Sequence, residues 1–69
     1  MEEIAELDRR IMAAHLELVG RRSDLRHQLA AGEPTDATES HIESIEEKID
    51  MMEDYRELVV AAIKRGEVD

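Results

Sequence analysis

The side chains in this 69-residue chain best equipped for chemistry are three histidines, several arginines and eighteen carboxylates. His27 and His41 flank a break in the chain. With Asp24 one turn before His27 and Glu39 close to His41, they offer the donor types that hold a divalent metal. The Asp24-x-x-His27 spacing, however, is not the Glu-x-x-His pair that dimetal carboxylate bundles repeat on two helices. No metal and no cofactor is therefore expected. The plainer reading is two solvated imidazoles beside acids, whose protonation under mild acid would change the charge at that end. His15 stands apart from both.

Arg21 and Arg56 occupy slots where an apolar residue would fit the surrounding pattern. Two guanidiniums inside a helical bundle would clamp a small dicarboxylate, the binding step that an enzyme acting on such an anion needs. The alternative is that their stems cross the edge of an apolar seam and their heads pair with acids. Covalent catalysis has little footing. The chain has no cysteine, and Ser23, Ser40 and Ser44 are not set in a Gly-rich strand-to-helix turn. The carboxylates read as a solvated face, with no cleft to shift their titration. Met12, Met51 and Met52 read as adaptable packing residues. No enzymatic activity is expected.

The elements that position these residues follow from punctuation and periodicity. The one strong interruption is Gly32-Glu33-Pro34-Thr35-Asp36. Gly32 suits the left-handed position after a helix, and Pro34 cannot continue one. Asp36 and Glu39 have capping-box spacing for a new helix, and Gly66 after Lys64 and Arg65 is a second stop. The reading is one domain over 1–69: a helix over about 2–31, a loop over about 32–36 and a helix over about 37–65. Each helix would be roughly 45 Å long at 1.5 Å per residue. Gly20 with Ser23 is the weak point of the first helix. Continuity is favoured because the apolar pattern resumes in phase at Leu25, and Gly20 would then allow a neighbouring helix to come close.

Ile4, Leu7, Ile11, Ala14, Leu18 and Leu25 follow 3-4 spacing, as do Ile42, Ile45, Ile49, Met52, Val59 and Ile63. That specifies an all-α, antiparallel, coiled-coil-like hairpin. With the turn near residue 34, Leu25 faces Ile42, Leu18 faces Ile49, and Leu7 approaches Val59 and Ile63. Arg21 would lie beside Glu46, with Arg22 and Glu47 flanking them. A second apolar set is left over: Met12, Leu16, Val19, Met51, Tyr55, Leu58 and Ala62. Met12 comes level with Tyr55 and Leu16 level with Met51, so the set is expected to form one patch. Such a patch marks an interface, and two-fold pairing of hairpins into a four-helix bundle is the simplest closed solution.

Composition supports self-association as a source of stability. The chain has one aromatic residue, Tyr55, and no disulfide or Cys-based zinc staple. The formal charge of −9 is uneven. Residues 1–31 carry six acids against five arginines, and residues 33–69 carry twelve acids against four cations. This opposes direct binding to nucleic acid or to anionic membrane. No membrane span is present in the pattern, and the acidic start Met1-Glu2-Glu3 without an apolar stretch is unlike a secretory signal, so a cytoplasmic location is expected. The outer face of helix two (Glu43, Glu47, Asp50, Glu53, Asp54, Glu57) is left for solvent or for a protein with a basic surface. The favoured function is a homodimeric protein-interaction or regulatory module. An acidic inhibitor mimicking nucleic acid comes second, and a small bundle enzyme with the Arg21/Arg56 anion site third.

Overall fold

Helix-stop signals and one proline divide the chain where the punctuation places them. The computed structural model describes residues 2–67, so Met1, Val68 and Asp69 of the expected 1–69 domain lie outside the described residues. Helix α1 runs Glu2–Ala31 and helix α2 runs Asp36–Lys64. They pack against each other as an antiparallel hairpin with Cα extents of 54 × 15 × 11 Å.

Both helices end in the same way. Gly32 takes φ 71° and Gly66 takes φ 77°, the left-handed region open to a residue without Cβ. After α1, the Gly32 amide donates to the Leu29 carbonyl at 3.2 Å and the Glu33 amide to the Gln28 carbonyl at 2.9 Å. After α2, Gly66 donates to Ile63 at 3.0 Å and Glu67 to Ala62 at 2.9 Å. Each pair is a Schellman closure, which satisfies carbonyls that the helix itself leaves orphaned.

The start of α2 differs from the expected capping box. The helix already includes Asp36, and Thr35 stands at the cap with φ −114°, ψ −2° and no side-chain hydrogen bond. That ψ lies outside the β-region geometry from which a cap side chain reaches the next amides. The Thr35 carbonyl instead accepts the Glu39 amide at 2.9 Å. Asp36 and Glu39 therefore act in the first turn through the helix dipole.

Gly20 does not break α1. A Cβ added there would meet nothing within 4 Å, so no neighbouring helix of the hairpin uses the space.

The core is thin. Ala14, Leu18, Ile42, Ile45 and Ile49 are buried, and Leu25 and Met52 pack against them. Ile4, Leu7, Ile11, Val59 and Ile63 are half-buried toward the open end. Thus the 3-4 spacing places the seam as read. At the loop end the seam turns polar: Thr38 Oγ1 donates to Gln28 Oε1 at 2.7 Å, both residues half-buried. Farther out, Arg22 meets Glu46 at 3.5 Å and Arg56 Nε donates to Asp8 Oδ1 at 2.6 Å. These pairs run in antiparallel order, later residues of α1 meeting earlier residues of α2.

The glycines provide a test of this backbone. Gly20→Ala should stabilise by about 0.5–1 kcal/mol, because it removes helix-interior glycine entropy without a clash. Gly32→Ala should destabilise by a comparable or larger amount, since alanine resists positive φ. Urea unfolding followed by circular dichroism reads both, and equal effects of the same sign would contradict the structure.

Candidate functional site

Most of the leftover apolar residues are where the spacing puts them, facing outward. Leu16 is 68% exposed, Met51 72% and Tyr55 46%, and Met12, Val19 and Leu58 are also exposed. Ala62 departs from the set, being half-buried. Leu29 joins it as an exposed apolar residue that the periodicity did not single out. Its place one residue beyond the Gln28 seam slot would have shown it, had Gln28 been read as part of the seam.

These residues do not make one patch. At about 100° per residue, a residue that follows a seam position turns to one side of its helix and a residue that precedes it turns to the other. The cross-helix contacts show which sides meet. Arg22 follows the Arg21 slot and Glu46 follows Ile45, and the two touch. Glu3 precedes Ile4 and Tyr55 precedes Arg56, and the Tyr55 hydroxyl donates to Glu3 Oε1 at 2.8 Å. Glu17 and His41 likewise precede Leu18 and Ile42, and their side chains meet at 3.2 Å. Followers therefore share one flank of the hairpin and preceders the other. Met12 and Val19 follow the seam, and Leu16 lies two residues beyond Ala14. Met51, Tyr55 and Leu58 precede it. The α1 stripe and the α2 stripe thus lie on opposite flanks, at the same level along the axis. The expected single patch is corrected to two.

The charged candidates are also distributed by flank. Arg21 turns to Asp24 at 3.1 Å, not to Glu46, because an acid one turn ahead on its own helix is nearer than one across the seam. Arg22 takes Glu46 instead. Arg9 and Arg10 both bind Glu6, at 2.7 and 3.1 Å, and their hydrogen bonds hold the Glu6 carboxyl below its ordinary value. Arg21 and Arg56 are not brought together. Asp8, the partner of Arg56, is thirteen residues from Arg21 along α1, roughly 20 Å at 1.5 Å per residue. The two guanidiniums therefore cannot clamp one small dianion.

The acidic row is open. Glu43, Glu47, Asp50, Glu53, Asp54 and Glu57 are all exposed, and among the described residues none of them has a Lys, Arg or His within ion-pair distance. His41 pairs with Glu17 across the seam, whereas His15 and His27 are exposed without an ion-pair partner among the described residues. No group of three or more His, Asp or Glu side chains among the described residues is arranged to hold a metal ion. No described helix is long and apolar enough to cross a membrane. No protein-family model matches the chain, and neither a curated protein nor a solved structure resembles it significantly.

Tyr55 is the one tyrosine, so its ionisation reports this site alone. The hydrogen bond to Glu3, then the carboxylate's charge, raises the phenol above its ordinary 10.0. The neutral phenol is the favoured form in the folded state. The stabilisation is therefore complete below the ordinary value and is lost as pH rises through the raised one. Phenolate absorbance should titrate higher in the wild type than in Glu3→Gln, and identical curves would show that the contact does not form in solution.

Proposed function

We propose that the chain is a non-enzymatic, self-associating helical-hairpin module that acts by binding other protein surfaces. The observation that carries this reading is the set of large apolar side chains left uncovered on an elongated, surface-rich molecule. A folded monomer of 7.9 kDa exposes about 4,400 Å² by the usual size scaling, and this hairpin exposes 5288 Å². The excess, about 900 Å², is close to the 800 Å² or so that each partner buries in a standard interface. The exposed side chains include Met12, Leu16, Val19, Met51, Tyr55 and Leu58. Large apolar side chains grouped at one level of so small a molecule fit a surface meant to be covered. The homodimer, with four helices laid side by side, is the smallest assembly that covers part of it.

The same reading gives the acidic row a role. Six unneutralised carboxylates on α2 suit a partner with a basic surface, and the net charge of −9 would speed that encounter at low salt. A nucleic-acid-mimicking inhibitor is the second reading, favoured by the same open row.

Self-association is tested by sedimentation equilibrium. The wild type should show concentration-dependent mass above the monomer at micromolar protein. Leu16→Glu should lower that mass while leaving the helical content unchanged. A compact monomer throughout would overturn the reading. For the acidic row, Glu43→Lys, Asp50→Lys and Glu57→Lys combined should abolish salt-sensitive capture of basic proteins. Capture that survives the triple change would remove the nucleic-acid-mimic reading.

A further inference from the structure

The flank that carries Tyr55 repeats one cross-helix geometry. Tyr55 meets Glu3 at 2.8 Å and His41 meets Glu17 at 3.2 Å. Along α1, Arg10 lies seven residues after Glu3 and seven before Glu17. Along α2, Lys48 lies seven residues after His41 and seven before Tyr55. A heptad step returns to the same side of each helix, so Arg10 and Lys48 form the middle station of this series. Each end station matches a carboxylate to a group able to donate. The middle one sets two cations toward each other. Both line a single groove of about 540 Å³, together with Ala13, Ala14, Glu17 and Met52.

The neighbours of this pair do not neutralise it. Arg10 binds Glu6 through Nε at 3.1 Å, but Arg9 holds the other oxygen of that carboxylate, so one acid serves two guanidiniums. Lys48 has no ion-pair partner among the described residues. The residues one turn away from it on α2, Ser44, Ile45, Met51 and Met52, carry no charge. On a helix otherwise rich in acids, a lysine facing an arginine works against the hairpin unless something negative sits between them. We propose that this groove binds a small carboxylate anion with a short aliphatic stem. Its oxygens lie between the Arg10 guanidinium and the Lys48 ammonium, and its stem lies on Ala13, Ala14 and Met52. Charge and lining set the class. Glu17 lines the same groove and the chain carries −9, so a single negative charge is accommodated where a polyanion is repelled. Ala13, Ala14 and Met52 offer no side-chain donor, which suits hydrocarbon. The site is built within one hairpin and stands whether or not copies associate.

Hexanoate titrated into the isotope-labelled protein tests the site through amide chemical shifts. Saturable shifts should centre on Arg10, Ala13, Ala14, Lys48 and Met52, with half-saturation on the order of 1 mM, the affinity a ligand of this size commonly reaches. Acetate has the charge without the stem, and hexanol has the stem without the charge. Each should bind about tenfold more weakly than hexanoate, or not at all. Lys48→Gln should weaken hexanoate about tenfold, and Lys48→Arg should retain it. Lys48 is exposed, so circular dichroism should show unchanged helix in both variants. Wild-type affinity in Lys48→Gln, or equal binding of acetate and hexanoate, would overturn the proposal. So would shifts that grow without saturating and are as large at Arg22 and Arg26 as at the groove.

Discussion

A hairpin of two helices has one seam, and each helix can bury only the stripe of its circumference that faces the other. That limit governs the rest of the molecule. Among the described residues five are buried and fifteen half-buried, on a rod whose radius of gyration is 16.2 Å where a globular chain of this length would have about 11 Å. Apolar residues beyond the seam have no interior to enter. Their exposure follows from the number of helices, not from any defect in packing.

The seam alone leaves the register loosely specified, because an apolar 3-4 pattern slid by one heptad still meets an apolar pattern. Polar contacts at separate levels remove that freedom. Gln28–Thr38 closes the loop end, Arg22–Glu46 lies on one flank, Tyr55–Glu3 lies on the other, and Asp8–Arg56 spans the seam edge toward the open end. Exposed ion pairs of this kind contribute about 0–1 kcal/mol each, so their main effect is selection among registers. The Schellman closure at Gly32 and the proline behind it keep the turn short, which limits sliding further.

The exposed apolar residues form two stripes, one on each flank of the hairpin. The chain's excess of acid is concentrated on the second helix. A surface built in this way has two different faces to offer. Symmetric pairing uses one of them, whereas a row, a ring or a bridge between partners uses both. The acidic row of α2 is exposed along its length.

Local features of the chain were legible without coordinates. Gly32, Pro34 and Gly66 mark helix boundaries because positive φ and a missing amide are properties of single residues. The 3-4 spacing marks the seam because the helical repeat is the same in every helix. The outward position of Leu16 or Met51 follows from what the seam excludes. Other features depended on how the parts met. Thr35 holds the α2 cap because of its backbone angles beside Pro34, while Arg21 chose Asp24 through a competition between side chains. The Gln28–Thr38 contact exists only once the two helices are docked. Counting residues from the turn sets the level of a side chain along the hairpin, so Met12 could be matched to Tyr55 in height. Which flank each occupies is an angle about the helix axis measured from the docked seam, and only the packed pair of antiparallel helices placed the two stripes back to back.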